Sequence, residues 1–226
     1  MTTILITGTN RGIGLEMARQ ALARGWTVYG SARGEVTEPD AHICKHPKFH
    51  DLHFDVTDHA AVRAAAAGIS EPIDILINNA GIIGPERQAT LDMDFDGFAK
   101  TLAVNTLAPL AVAQAFLPHL KRSRKPRILT VSSGMGRMSY AKSDRIAYRA
   151  SKAAVNKVMQ GLATDLEPMG IAVVMLHPGW VRTDMGGAGA DIAPAESAAG
   201  ILAVAEGLTL EGTGQFLNWD GSTVEW

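Results

Sequence analysis

Short apolar runs alternate along the chain with longer stretches in which apolar residues recur every three or four positions. The short runs are rich in β-branched residues, which favours strands, and the longer stretches have the period of an amphipathic helix. We predict strands at residues 3–7, 27–29, 49–54, 73–77, 127–131, 171–176 and 215–217. We predict helices over residues 15–22, 60–67, 94–120, 147–167 and 195–206.

The predicted strands are continuously apolar rather than alternating, which is typical of a parallel sheet covered by helices on both faces. Regular alternation of strand and helix, with right-handed crossovers, then gives a doubly wound arrangement. The predicted fold class is α/β, a Rossmann-type parallel sheet of about seven strands with helices on both faces. No repeat, linker or low-complexity tract divides the chain, so we expect one domain over residues 1–226.

Composition argues against several other classes of protein. The net charge is -2 and no basic run stands out, so neither nucleic acid nor an anionic membrane is an expected partner. Cys44 is the only cysteine, and the histidines at positions 42, 46, 50 and 53 lack the spacing of a metal site, so no metal is expected. The chain opens directly into a predicted strand, and no apolar run approaches the length of a membrane span. We expect a cytoplasmic protein.

A glycine-rich segment lies between the first predicted strand and the first predicted helix. In that context Gly8 permits a tight turn, Gly12 lets the backbone approach a pyrophosphate, and Gly14 lets the helix pack on the sheet. The helix N-terminus adds free N–H groups and the positive end of its dipole. A structural turn is the alternative. We predict a dinucleotide-binding loop that includes Gly8, Asn10, Arg11, Gly12, Ile13 and Gly14.

The end of the second predicted strand indicates which nicotinamide cofactor binds. An acidic residue there accepts a hydrogen bond from the ribose 2′-hydroxyl, whereas an arginine pairs with a 2′-phosphate. This chain has Ala32 where an acid would stand and Arg33 next to it, and Arg11 is a second candidate for the same phosphate. Both arginines could instead be solvated, and Glu35 is the nearest acid that could reverse the preference. We predict NADP(H) in preference to NAD(H).

Tyr148 and Lys152 are four positions apart in a predicted helix, so their side chains lie on one face about one turn apart. An ammonium beside a phenol favours the phenolate and lowers its pKa. A tyrosine whose pKa is lowered toward neutrality can exchange a proton with a substrate oxygen. An exposed helix face is the alternative interpretation of this spacing alone. The pair is therefore a candidate for acid–base catalysis.

Taken together, these motifs resemble those of the short-chain dehydrogenases/reductases over essentially the whole chain. Within that family the chain is similar to the small carbonyl-reductase and C-factor-like branch, because the segment after Thr183 is short and residues 214–221, near the C-terminus, read GQFLNWDG. The matching motifs occur in the family's order at residues 7–14, 55–56, 78–81, 105, 132–133, 148–152 and 178–183.

The resemblance implies a catalytic tetrad of Asn105, Ser133, Tyr148 and Lys152. Ser133 would hydrogen-bond the substrate carbonyl oxygen, with Ser132 as the neighbouring candidate. Tyr148 would be the general acid in reduction and the base in oxidation. Lys152 would lower the pKa of Tyr148 and bind the nicotinamide ribose. Asn105 would hold a water that links Lys152 to solvent.

The resemblance also assigns cofactor contacts beyond the glycine loop. Asp55 and Val56 would contact the adenine ring, and Asn79, Ala80 and Gly81 would line the adenosine ribose. Asn78 would tie neighbouring strands together, and His177 would fill space at a strand end. The predicted cofactor-binding residues on the catalytic side are Tyr148, Lys152, Pro178, Gly179, Val181 and Thr183.

The segment between Ser133 and Tyr148 should form one wall of the substrate cleft. Its side chains, with that of Trp180, are mainly apolar and adaptable, which favours relaxed selectivity among carbonyl compounds. The predicted substrate-binding residues are Ser133, Met135, Met138, Tyr140, Tyr148 and Trp180.

The predicted function is an NADP(H)-dependent oxidoreductase, a carbonyl reductase or alcohol dehydrogenase that acts on a small-molecule carbonyl or alcohol. The alternative is a C-factor-like signalling or sensor protein that binds the cofactor and catalyses only incidentally. A sugar-nucleotide epimerase is disfavoured, because the C-terminal region is too short for a nucleotide-sugar domain. We also expect a homodimer through the two long helices that carry Asn105 and Tyr148.

Overall fold

The computed structural model of the chain describes residues 2–33 and 40–226, so Glu35 lies outside the described residues. The strands are β1 (Thr3–Thr7), β2 (Thr27–Ala32), β3 (Phe49–His53), β4 (Ile75–Asn78), β5 (Gln88–Ala89), β6 (Asp92–Met93), β7 (Arg127–Val131), β8 (Ala172–His177) and β9 (Phe216–Asn218). The α-helices are α1 (Gly12–Ala23), α2 (His59–Ala67), α3 (Phe95–Leu102), α4 (Ala108–Leu120), α5 (Ile146–Leu166) and α6 (Pro194–Gly207).

Seven of the strands form one sheet in the order β3-β2-β1-β4-β7-β8-β9, and every pairing in it is parallel. The strand order reverses between β1 and β4, where Ile4 pairs with Val28 on one side and with Ile75 on the other. Such a reversal opens a crevice at the carboxyl ends of the strands. The predicted seven-stranded, doubly wound parallel sheet is confirmed.

The core consists of two apolar layers, one on each face of the sheet. Ile4 and Ile6 of β1 pack with α1 and α6 on one face, whereas Leu5 packs on the other face with α2, α4 and α5. Each buried strand therefore needs apolar side chains at successive positions, because both of its faces are covered. This explains the continuous apolar runs in the sequence.

The predicted helix over residues 94–120 is divided in the structure. Between α3 and α4 lies a π-helical turn, Ala103–Leu107, that contains Asn105. A π-helical turn inside a longer helix is rare and occurs frequently at functional sites. The antiparallel pair β5–β6 was not predicted, because two-residue strands are too short for a periodic pattern.

The helical stretch Phe95–Leu120 is 26 residues long and apolar enough to suit a membrane span by length and composition. Its suitability for a membrane span was not predicted, because no unbroken apolar run in the sequence is that long. Half of its most apolar part is buried inside the fold, as in the core helix of a soluble protein. The stretch is therefore only weak evidence for a membrane-spanning segment.

Gly14 provides a test of how closely α1 approaches the loop before it. A Cβ at this position would lie 2.1 Å from the carbonyl oxygen of Gly8, so Gly14→Ala should lower the free energy of unfolding by about 1–3 kcal/mol. Gly161 in α5 is the matched control, since a Cβ there meets nothing within 4 Å. Gly161→Ala should raise the free energy of unfolding by about 0.5–1 kcal/mol. Urea unfolding measures both, and equal stabilities of the two variants would contradict the close approach.

Candidate active site

A cleft of about 640 Å³ lies at the carboxyl ends of the parallel strands. It runs from the glycine-rich loop after β1, past the ends of β2, β3 and β4, to the start of α5. The structure brings most of the predicted cofactor-binding residues together around it. Those that line the cleft are Gly8, Asn10, Arg11, Gly12, Ile13, Gly14, Arg33, Asp55, Val56, Asn79, Ala80, Gly81, Tyr148, Lys152, Pro178 and Thr183.

Two predicted cofactor residues do not line this cleft. Gly179 has φ of 83°, and a Cβ on it would meet the side chains of Ile192 and Trp219. Val181 is buried and forms a bridge with Ile192. Both residues therefore lie next to Ile192 in the segment after β8, and neither forms part of the cleft surface.

The glycine-rich loop has the features that a dinucleotide phosphate requires. Gly8 has φ of 77°, in the left-handed region that favours glycine. Arg11 at the N-cap of α1 makes no capping hydrogen bond with its side chain, so the first-turn N–H groups of this helix are left for a ligand. The buried Ser31 hydroxyl lines the same cleft and has no hydrogen-bond partner among the described residues. The residues present fit a dinucleotide.

Asn79 fastens the end of β4 to this loop. Its Nδ2 donates to the carbonyl oxygens of Thr7 (2.9 Å) and Gly8 (3.2 Å). In return, Thr7 Oγ1 accepts hydrogen bonds from the backbone N–H groups of Asn79 and Ala80, each at 3.0 Å. The two loops on either side of the crevice are therefore held at a fixed separation.

The two arginines proposed for a 2′-phosphate occupy different places. Arg33, at the end of β2, lies 3.4 Å from Asp55 Oδ2, and both side chains are more than one-third exposed. Arg11 instead pairs with Asp184 across the cleft at 2.8 Å. Burial by itself would raise the pKa of Asp55, but hydrogen bonds from Thr57 and the Arg33 guanidinium outweigh it and hold the pKa below its usual value. An ionised Asp55 next to Arg33 orients that guanidinium at the adenosine end of the cleft.

Tyr148 and Lys152 lie on one face of α5, as their spacing predicts, and both are buried. The Lys152 Nζ is 5.7 Å from the centroid of the Tyr148 ring. It donates a 2.8 Å hydrogen bond to the carbonyl oxygen of Val131, the last residue of β7. The pair is therefore part of the cleft wall and not an exposed helix face.

The predicted effect of Lys152 on the pKa of Tyr148 is not what the structure gives. Burial raises the pKa of Tyr148 above its ordinary value, against the smaller lowering effects of a hydrogen bond with Ser133 and of the positive charge of Arg145. Burial also lowers the pKa of Lys152 to about 8. The expectation of a phenol whose pKa is lowered toward neutrality was wrong, because it considered the charge pair and not the loss of water around both groups.

Ser132 and Ser133 face different partners. The Ser132 hydroxyl donates to Asn156 Oδ1 inside α5. The Ser133 hydroxyl accepts from the N–H of Met135 at 3.1 Å, and it is close enough to Tyr148 to lower the pKa of the phenol. Ser133 is thus the serine that acts on the candidate acid.

Asn105 is held by the loop that follows β4. Its Oδ1 accepts from the N–H of Ile82 (2.9 Å), and its Nδ2 donates to the carbonyl oxygen of Ile82 (2.8 Å) and to Ser151 Oγ (3.0 Å). A Cβ on Gly81 would lie 3.2 Å from Asn105 Oδ1 and 3.7 Å from Lys152 Nζ. The Gly81 backbone therefore lies against both Asn105 and Lys152.

The predicted substrate wall is only partly apolar in its contacts. Met138 is 84% exposed, and Trp180 is half exposed with its Nε1 donating to the carbonyl oxygen of Gly186. The Tyr140 ring lies under two guanidinium groups, those of Arg149 (4.9 Å) and Arg137 (5.6 Å). Of the predicted substrate residues Ser133, Met135, Met138, Tyr140 and Trp180, none lines the 640 Å³ cleft itself.

Several cleft residues were not predicted. Most of them stand next to a motif residue in the sequence, so their position beside that motif would have indicated them. Gln88, which does not line the cleft but bonds to the Tyr148 N–H, has no such local signal. The unpredicted cleft residues include Ser31, Phe54, Ile82, Val104, Asp184 and Met185.

Comparison with known proteins agrees with this geometry. A family model described as short chain dehydrogenase matches residues 2–191. The chain belongs to the short-chain dehydrogenase family. Like other members of this family, it is an oxidoreductase acting on C=O or CH–OH groups.

Two relatives and one solved structure illustrate the range of the family around this chain. The C-signal protein of Myxococcus xanthus is 42% identical over 168 residues, which cover 73% of this chain and all of that protein. The 1-hydroxy-2-glutathionyl-2-methyl-3-butene dehydrogenase of Rhodococcus sp. strain AD45 is 32% identical over the full length of both chains. The crystal structure of NADPH-bound carbonyl reductase from chicken fatty liver matches with a TM-score of 0.91 and 34% identity, over 100% of this chain and 99% of that chain.

The buried ammonium of Lys152 should make the stability of this short-chain dehydrogenase depend on pH. Its pKa is about 8 in the fold against 10.5 when solvated, so the unfolded chain binds this proton more strongly. The free energy of unfolding should therefore rise with pH between these two values. Lys152→Met removes this component, and its stability advantage over the wild type should shrink across that range in urea unfolding. A stability difference that stays constant with pH would contradict a desolvated ammonium.

Proposed function

We propose that this protein is an NADP(H)-dependent carbonyl reductase that uses Tyr148 as the general acid. One observation carries the proposal: the Tyr148 ring lies 5.7 Å from the Nζ of the buried Lys152, and both residues form the wall of a cleft that fits a dinucleotide. The similarity to an NADPH-bound carbonyl reductase supports it.

The hydroxyls of Ser133 and Tyr148 would both act on the substrate oxygen. The residues lining the cleft would hold the nicotinamide cofactor, which when bound would provide hydride-transfer chemistry at the substrate carbon. The Ser133 and Tyr148 hydroxyls would hydrogen-bond the carbonyl oxygen and stabilise the negative charge that develops there. Tyr148 would give its phenolic proton to that oxygen, which yields the alcohol and leaves a phenolate. With its pKa raised, the phenol is protonated at neutral pH, so it has a proton to give.

Lys152 would act on the phenolate and on the cofactor. Its ammonium, with a pKa of about 8, is mostly charged at neutral pH and lies on the same helix face as Tyr148. Once the phenol has given up its proton, the Lys152 charge, 5.7 Å from the ring centroid, would stabilise the phenolate. The role of Asn105 would be to fix the backbone of Ile82, and with it the loop that carries Gly81 past Lys152.

The preference for NADP(H) rests on the adenosine end of the cleft. Arg33 lines it, half exposed, and Ala32 stands where an acid would repel a 2′-phosphate. A guanidinium can pair with a phosphate through two hydrogen bonds. Both arginines are in ion pairs, but that of Arg11 with Asp184 is the shorter, at 2.8 Å against 3.4 Å for Arg33 with Asp55, so Arg33 would provide the discriminating charge.

A signalling or sensor protein is the second candidate, and the similarity to the C-signal protein favours it. Such a protein needs a bound cofactor but no proton donor. The presence of Tyr148 and Lys152 in the cleft wall, with Ser133 close to Tyr148 and Asn105 next to Gly81 of the same wall, supports the enzyme instead.

We also propose that the protein forms a homodimer through α4 and α5. Leu107, in the π-helical turn, is 54% exposed, and Leu102 and Leu110 nearby are partly exposed. Val158 and Leu162 on α5 are partly buried against the core of their own chain. The apolar surface available to a partner therefore lies mainly at the end of α3, in the π-helical turn and in the first turn of α4.

Removal of the Tyr148 hydroxyl tests the enzymatic proposal. Tyr148→Phe should reduce kcat for NADPH-dependent reduction by at least about a hundredfold, the scale of a lost general acid. NADPH affinity should change little, because the ring remains. The measurement is NADPH consumption with a panel of aldehydes, ketones and quinones. A wild-type protein that turns over none of them would support the sensor.

Replacement of Arg33 tests the choice of cofactor. Arg33→Ala should weaken NADPH binding by about tenfold or more while NADH binding changes little, since only NADPH has the 2′-phosphate. Arg11→Ala is the matched control and should have the smaller effect on this ratio. Fluorescence titration of the wild type and both variants with each nucleotide gives the six Kd values, and equal losses for NADPH and NADH in Arg33→Ala would reject the assignment.

A further inference from the structure

The helix that carries Tyr148 begins without an ordinary cap. Arg145 stands at the N-cap of α5 with φ of 52° and ψ of 43°, and its side chain makes no capping hydrogen bond. Of the described residues, it is the only non-glycine with positive φ. The first N–H groups of a helix have no acceptor within the helix and need one elsewhere. The N–H of Arg149 already bonds to the carbonyl oxygen of Arg145 at 2.9 Å, so Tyr148 has the last N–H of the first turn that needs an outside partner.

Gln88 supplies that partner from a distant part of the chain. Its Oε1 accepts a 3.1 Å hydrogen bond from the Tyr148 N–H, although the two residues are 60 positions apart. Its Nε2 donates to the carbonyl oxygens of Pro85 (2.7 Å) and Ile83 (3.1 Å). The two donor contacts fix which end of the amide faces Tyr148. The side chain is 6% exposed, so water does not readily replace either contact.

The loop that holds Gln88 also touches the other members of the site. It begins after β4 and passes along the cleft at Gly81, which lies against Asn105 and Lys152. Ile82 is bonded through both of its backbone groups to Asn105, and Gln88 then reaches Tyr148. One loop therefore contacts the cofactor cleft and three of the four proposed catalytic residues.

Gly84 gives the Gln88 amide its room. It has φ of 91°, and a Cβ on it would lie 3.2 Å from Gln88 Oε1 and 3.4 Å from Nε2. The backbone at Gly84 thus leaves room for a glutamine side chain that is almost fully buried. This is unusual for a glutamine, which is mostly an exposed residue.

We propose that Gln88 is a positioning residue for the general acid, which holds the backbone of Tyr148 and so fixes the phenol relative to Ser133 and the cofactor cleft. The proposal rests on the proposed function for its effect on catalysis. Gln88 acts through Tyr148 and not on the substrate. A displacement of about 1 Å at a catalytic group can reduce the rate about a hundredfold. Loss of the amide should therefore affect kcat far more than the binding of NADPH.

Two substitutions of Gln88 test this. Gln88→Met keeps the size of the side chain and removes all three hydrogen bonds. Gln88→Asn keeps an amide but is one methylene shorter, so it cannot reach both the loop carbonyls and the Tyr148 N–H. Both should lower kcat by about 10- to 100-fold with little change in NADPH Kd. Gln114→Met, on an exposed position of α4, is the matched control and should behave as the wild type.

A second measurement reports on the hydrogen bond whether or not a substrate has been found. Hydrogen exchange of the Tyr148 amide, followed by NMR in the protein without substrate, should be faster in both Gln88 variants than in Gln114→Met. Faster exchange together with lowered kcat supports the proposal. An unchanged kcat in folded Gln88 variants of an active enzyme overturns it, and so does an unchanged exchange rate. A wild-type protein inactive on every carbonyl would instead reject the proposed function, while exchange still decides whether Gln88 holds Tyr148.

Discussion

The burial of one ammonium group, that of Lys152, constrains the rest of the site. A charged group taken out of water must be compensated by dipoles held in fixed positions. The compensating carbonyl belongs to Val131, at the end of β7, so the hydrogen bond ties α5 to the strand that leads into Ser133. Tyr148, one turn before Lys152 on the same helix, is thereby brought next to that serine. The seven-stranded sheet provides the rigid base on which these few atoms meet.

The same burial acts in opposite directions on the two ionisable partners. It raises the pKa of the phenol and lowers that of the ammonium to about 8, because the charged form of each is disfavoured away from water. At neutral pH the site therefore holds a protonated phenol beside a cation. Such a state has a proton available for an oxygen that becomes negative, as the proposed reduction requires.

The sequence predicted those parts of the molecule that depend on local patterns. The bounds of β1 and β7 agree with the prediction because each is a short apolar run between polar residues, and the spacing of Tyr148 and Lys152 indicates a shared helix face. The other parts depend on contacts between distant segments. The π-helical turn at Asn105 accompanies hydrogen bonds to Ile82, 23 residues earlier, and Gln88 reaches across 60 residues. The pKa of Tyr148 was mispredicted for the same reason, since burial is a property of the whole fold.

The ion pair between Arg11 and Asp184 joins the two opposite walls of the cleft. Both side chains are more than half exposed, at 66% and 78%, and an exposed pair of this kind contributes an energy close to that of thermal motion. Such an ion pair breaks and reforms spontaneously, without a conformational change elsewhere. The link between these two cleft residues would therefore weaken as the ionic strength of the surroundings rises.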